Sequence, residues 1–200
     1  HKPLLQTLDN PWYTTNNVTI YAHLNSITNN LETEIYVPNL SNGKINIDSI
    51  DFNLNNKNNS LNLTLSAATD LKKSHLNAGI SINAANDTIF TNLNWDNNNI
   101  NKLFAGEFIA QTELSTLNSQ LSTNTTILPT ELILQNKSWI IDQSSIWSDF
   151  NKIIVENFKI HSNDDQLIAI NGIASKNQND TIDIQLKDIS LNYIDELLPE

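Results

Sequence analysis

Apolar and polar residues alternate along this chain with a period of two. In "LNLTLSA", Leu61, Leu63, Leu65 and Ala67 fall on one side of an extended backbone. "LNAGISINA" does the same with Leu76, Ala78, Ile80, Ile82 and Ala84, and "TIDIQL" with Ile182, Ile184 and Leu186. Side chains two apart share a face of a strand, so each run predicts a strand with one dry and one wet side. Polar clusters separate the runs: "SNGK" at 41–44, "NDT" at 86–88, "SNDD" at 162–165 and "NQND" at 177–180. Short alternating runs between such clusters predict an antiparallel meander. Helix is scarce. "FIAQTELSTLNSQL" can be read as a helical stripe, but Phe108, Ala110, Thr112 and Leu114 also alternate, and its Thr, Ser and Asn content favours strand. "NYIDELL" near the end suits one helical turn.

Three runs change face midway. "KINIDSIDFNL" has Ile45 and Ile47, then Asp48-Ser49, then Ile50, Phe52 and Leu54. "KIIVENFKI" has Ile153 and Val155, then Glu156-Asn157, then Phe158 and Ile160. "DIQLKDISL" has Ile184 and Leu186, then Lys187-Asp188, then Ile189 and Leu191. An offset of three between apolar residues needs a bulge or sharp bend, which adds a residue and re-aims the side chains. If the sheet turns at that point, both halves face one interior. The expected fold is therefore all-β: a curled antiparallel meander forming an elongated apolar groove, with little helix. The repetition of one pattern favours a repeated curling unit over incidental bulges. Residues 1–200 are read as a single segment of a longer repetitive β-groove protein, since no linker marks a boundary and the chain, with no Met, opens on "HKPLLQTLDNPWY".

Composition narrows the function. The formal charge is -11, and all basic residues are Lys. A chain without Arg or a basic run is poorly suited to neutralising phosphates, so no nucleic acid is expected as a partner. The same sign disfavours anionic lipid headgroups. Short apolar runs such as "WII" cannot span a bilayer. Any membrane anchor is expected outside this segment. The absence of Cys excludes disulfides and thiol chemistry. Asn makes up about a sixth of the chain, which reads as genome composition, and N-x-[ST] triplets such as those at Asn17, Asn62 and Asn136 are read as its by-product.

No catalytic constellation emerges. His1, His23, His75 and His161 lack metal-ligand spacing, and glycines only at 43, 79, 106 and 172 allow no phosphate-cradling loop. Glu32 and Glu34 alternate on one strand face and Asp164-Asp165 sits in a turn; paired carboxylates serve glycosidases, but solvated charges account for these. Trp95 and Trp139 lie in alternating runs, where core packing is the simpler account than sugar stacking. The chain is not expected to be an enzyme or to use a metal or cofactor. What remains is the dry face. Burying about a dozen methylenes of an acyl chain at ~0.8 kcal/mol each gives on the order of 10 kcal/mol, enough to hold a lipid tail without specific polar contacts.

The C-terminal third carries a resemblance. "NKSWII", "KIIVENFKI" and "QLIAINGIASKNQNDTIDIQLKDISLNYI" resemble the translocation and assembly module family, TamB, in its Bacteroidetes form. The family's successive strands read W-x-I, I-x-V-x-x-F, I-x-G-x-A-S and D-[ST]-[LI]-x-[VI]-x-L-x-D-[IV]-x-L. They fall here at Trp139 to Ile141, Ile153 to Ile160, Ile168 to Ser175 and Asp180 to Leu191. The match covers about 136–195 well and 76–97 loosely; the first seventy residues fit only by alternation. The resemblance implies a periplasmic segment of a protein anchored in the inner membrane, similar to the AsmA-like lipid-bridge proteins. Its expected partners are phospholipid acyl chains and, for some members, an outer-membrane barrel of the Omp85 type. The expected function is a segment of a periplasm-spanning lipid conduit moving phospholipid, or aiding outer-membrane protein assembly, between the two membranes. The groove is expected to be lined by Ile45, Ile47, Ile50, Phe52, Leu54, Ile153, Val155, Phe158, Ile160, Ile168, Ile170, Ile182, Ile184, Leu186, Ile189 and Leu191. The alternative is an extracellular β-sandwich binding or adhesion domain that recognises glycans through loops or a surface Trp such as Trp147. An enzyme is a third reading.

Overall fold

The computed structural model describes residues 12–43, 45–57, 59–71, 74–97, 104–117, 120–134 and 136–189. Among them there is no helix, and every strand joins one antiparallel sheet. The strands are β1 (Thr19–Asn25), β2 (Asn30–Ser41), β3 (Asn46–Asn55), β4 (Leu61–Leu71), β5 (Ser74–Ala85), β6 (Thr88–Asp96) and β7 (Phe104–Leu117). There follow β8 (Gln120–Ile127), β9 (Thr130–Leu134), β10 (Lys137–Ile141), β11 (Ser144–Ser148), β12 (Lys152–Ser162), β13 (Leu167–Ser175) and β14 (Ile182–Lys187). The run from Phe108 to Leu114 is strand, inside β7, and the polar clusters mark strand ends: Ser41 closes β2, Thr88 opens β6, Ser162 closes β12, and "NQND" lies between β13 and β14, while Lys44 lies outside the described residues. The "NYIDELL" segment and Leu191 lie outside the described residues.

The sheet is a meander throughout. β8 and β9 pair with successive stretches of β7, and β10 and β11 with successive stretches of β12. Each pair is thus one line of strand broken at Leu128-Pro129 or Asp142-Gln143. The breaks keep their ladders, since Leu128 N–H donates to Ile109 O at 2.9 Å and Asp142 N–H to Lys159 O at 2.9 Å. With β8/β9 and β10/β11 each counted as one line, every line's partners are its neighbours in sequence.

Directly opposed residues of an antiparallel pair share a face. Following the register, one row runs Ile20, Ile35, Phe52, Leu65, Ile80, Leu93, Phe108 across β1 to β7 without a polar member. The far side of the sheet is polar and uses the abundant Asn. Asn62 Nδ2 donates to Asn55 Oδ1 at 3.2 Å, and Asn62 Oδ1 accepts from Asn83 Nδ2 at 2.6 Å, an amide ladder across β3, β4 and β5. Asn also occupies left-handed turn positions at Asn29, Asn59, Asn86 and Asn136, where its short polar side chain is better tolerated than others. The Asn86-Asp87 pair, both with positive φ, makes the two-residue hairpin between β5 and β6.

The three predicted face changes share one backbone device. Ser49, Asn157 and Asp188, the second polar residue of each copy, all have left-handed φ, at 50°, 58° and 53°. The register of β3 shifts against β4 between Asp48 and Asp51, and that of β12 against β13 between Val155 and Phe158. The extra residue returns Ile50 and Phe158 to the face of Ile47 and Val155. Serine is the least suited of the three to a left-handed conformation, which costs most L-residues about 1–2 kcal/mol. Ser49→Asn is expected to raise stability by about 0.5–1 kcal/mol, and Asn157→Ala to lower it by a similar amount. The midpoint of urea unfolding checks both.

A core forms where the bends stack. Ile127, Leu132, Trp139 and Ile141 are buried, and Trp95, Phe108, Leu134, Ile146, Phe158, Ile160 and Ile189 pack around them. These residues lie on both sides of the breaks in β8/β9 and β10/β11 and beyond the bulge in β12, so the two limbs of the bend close on each other. In a flat sheet Ile189, beyond β14, would sit about three strand spacings from β10, or ~14 Å. Its packing against the cluster requires the sheet to curl toward the apolar face. Gly106 contributes an absence of bulk: a Cβ there would lie 2.6 Å from Trp95 Cζ2 and 2.7 Å from Leu132 Cβ. The Trp95 ring lies across this glycine and reaches Leu132. Trp95 and Trp139 are therefore core residues.

Candidate functional site: the apolar face

The register collects the expected groove residues on one side. Ile47, Ile50, Phe52 and Leu54 on β3 are joined through β4 to β7 with Ile153, Val155, Phe158 and Ile160 on β12. Ile168 and Ile170 on β13 and Ile182, Ile184 and Leu186 on β14 complete the same side. Ile45 sits in the turn before β3, half-buried. Ile189 lies past β14 against the core. The face also includes Ile20 and Leu24 on β1 and Leu31 and Ile35 on β2, which the face-swap motif did not single out. Alternation in "TIYAHLN" was the signal that could have found the first pair.

The face has two regimes. Around the stacked bends the protein fills it with its own side chains: Trp139, Ile141 and Ile127 are each 2% exposed. Val155, Phe158 and Ile160 belong to this filled part. Elsewhere the same face meets water. Leu65 is 37% exposed, Leu93 40%, Ile184 and Leu186 65%, and Ile20 69%. An isolated exposed leucine is ordinary, but a contiguous apolar patch on a folded surface marks a place where something binds. Each such aliphatic side chain withdrawn from water contributes about 1.5–3 kcal/mol.

The wet face holds the charges. Lys57 Nζ lies 2.7 Å from Glu32 Oε1. The hydrogen bond from Lys57 and its charge hold the Glu32 carboxyl below the ordinary carboxylate range, and the same contacts hold the Lys57 amine above its own. A carboxyl pushed down is the reverse of what a general acid at neutral pH requires. Glu32 is opposed by His23 and Asn55, and Glu34 by Tyr21 and Asn53, so neither faces a second carboxylate across the ladder. His75 Nδ1 pairs with Asp70 at 2.8 Å; His161 Nε2 lies 3.2 Å from Asp142, which Lys159 also approaches at 3.6 Å. Among the described residues no group of three or more His, Asp or Glu is arranged to hold a metal ion.

One depression on the wet face carries an aromatic. It is lined by Asn124, Ser145, Trp147, Lys152, Ile154 and Glu156. Lys152 Nζ stands 5.0 Å from the Trp147 ring centre, and Ser145 Oγ donates to Glu156 Oε2 at 3.1 Å. Compared with known family models, curated proteins and solved structures, the chain matches none.

Proposed function

We propose that this chain is a segment of a lipid conduit, in which acyl chains lie along the open parts of the apolar face. The observation that carries this reading is the unbroken row from Ile20 to Phe108, presented on one side of seven successive strands with several members in water. Such a surface offers width and hydrocarbon contact but few polar anchors, which suits tails of varied length and headgroup. With the TamB-like strand motifs of the C-terminal third, the reading extends to a periplasmic location between inner and outer membrane and to phospholipid as cargo. It extends also to an outer-membrane barrel as partner.

The test is site-specific photo-crosslinking. A photoreactive residue at Leu65, Leu93 or Ile184 is expected to capture phospholipid in cells, whereas the same group at Ser66 or Asn94, on the wet face, is expected to stay free of lipid. Equal labelling of both faces, or none at the apolar positions, would remove the reading. The Trp147 depression supports a second reading, glycan recognition. A glycan array with strong signals that vanish in Trp147→Ala would favour it.

A further inference from the structure

Hydroxyl groups gather on the dry face where the sheet passes from β7 to β11. Thr112 on β7 opposes Thr125 on β8, and Thr123 on β8 opposes Ser148 on β11. Thr112 Oγ1 and Thr125 Oγ1 are 2.9 Å apart, and Thr123 Oγ1 and Ser148 Oγ 2.7 Å apart. Ser144, opposite Ile127, stands one row nearer the bend. It is 5% exposed, and its buried hydroxyl has no hydrogen-bond partner, a rare state for a polar group inside a folded protein. Thr33, Thr69 and Thr91 also lie on the dry face, but each is opposed only by apolar residues. The hydroxyls from Thr112 to Ser148 therefore form a band in an otherwise hydrocarbon wall.

A hydroxyl carries one hydrogen and two lone pairs. Pairing two of them uses one hydrogen and leaves the other, so each pair keeps a donor to give, and Ser144 keeps its own. No charged side chain lies on the dry side of β7, β8 or β11. A phosphate or carboxylate placed here meets no cation, whereas a neutral acceptor such as an ester carbonyl meets spare O–H groups. Along β8 exposure rises from 2% at Ile127 to 49% at Leu121, and Thr125 and Thr123 between them are half-buried. The band thus stands between the packed bend and the open rim. We infer that it seats the ester carbonyls of an acyl lipid. The tails run along the apolar rows toward β1, and the charged headgroup passes Leu121 and Ile153, 45% exposed, into water. The inference rests on the lipid reading and adds a preference to it: ester-linked chains are held over chains of equal length that lack carbonyls.

A diester phosphatidylcholine and its diether analogue, each with the same photoreactive group at one tail end, differ only in the carbonyls. The purified chain is titrated with each, and the concentration for half-maximal photo-capture is read. The diester probe is expected to bind about five- to thirtyfold more tightly, the worth of one or two neutral hydrogen bonds. The double variant Thr123→Val, Thr125→Val, which keeps side-chain shape, is expected to capture both probes equally, at the level of the diether. Ser144→Ala is expected to lower the preference while holding or raising the urea midpoint, because it removes an unpaired buried hydroxyl. Circular dichroism checks that both variants keep the strand spectrum. Equal capture of the two probes by the unmodified chain would overturn the inference and leave the lipid reading standing. An ester preference that survives in both variants would overturn it as well, by placing the carbonyls elsewhere. Capture of neither probe would remove both.

Discussion

Trp139→Ala is expected to destabilise the protein by about 3–5 kcal/mol, the range for truncating a large aromatic in a packed core. That is a large part of the roughly 5–15 kcal/mol that separates folded from unfolded chains of this size. The indole is 2% exposed and is enclosed by Ile127, Leu132 and Ile141. It also stands where both limbs of the bend meet, so its loss empties space that no single neighbour can refill. Leu65→Ala gives the contrast. Leu65 belongs to the same face but is 37% exposed, so its loss is expected to cost about 1 kcal/mol or less. Urea unfolding of the two variants measures the difference. Equal losses would mean that the face is packed throughout and that its open stretch is no trough.

Gly172→Ala is the second large effect. Gly172 has φ +126°, a conformation that L side chains rarely adopt, and an added Cβ would lie 2.3 Å from the Thr181 carbonyl oxygen. That carbonyl accepts the Ile173 N–H at 2.8 Å, so it cannot retreat without breaking a ladder bond. Backbone strain and overpacking each cost about 1–3 kcal/mol, and here they act together. A loss of roughly 2–5 kcal/mol is expected, read as a lowered unfolding temperature and faster amide exchange in β13 and β14. Gly79→Ala is the control: its Cβ would come no nearer than 3.2 Å to Asn94 Oδ1, the end of a side chain that can move. Equal behaviour of the two variants would show that the crowding at Gly172 is not what requires glycine.

Much of this was legible in the chain because a period of two is a local signal. The alternation in "LNLTLSA" and "LNAGISINA" gave β4 and β5, and the three motifs gave bends at Ser49, Asn157 and Asp188. The matching breaks in β8/β9 and β10/β11 were hidden for a definite reason. There the residue that returns to the dry face after the break is polar, Thr130 after Ile127 and Ser144 after Ile141, so no apolar offset of three appears. Which stretch of the face fills itself was also illegible. That depends on Trp95 crossing Gly106 to Leu132 and on Ile189 reaching back to the core, contacts between strands far apart in the chain. The abundance of Asn, read as composition, proved to have structural uses in turns and in the amide ladder, while Glu32, His75, His161 and Asp164 have polar partners in ion pairs.

Because every ribbon makes its backbone ladder only with the ribbons beside it, the sheet outside the packed core behaves as a linear array whose cohesion is a chain of pairwise contacts. Excision or duplication of one hairpin leaves the direction and facing of all later ribbons unchanged, whereas loss of a single ribbon reverses them. Length in such a protein is therefore free to vary between descendants in steps of two ribbons, while the spacing inside each ribbon is held fixed.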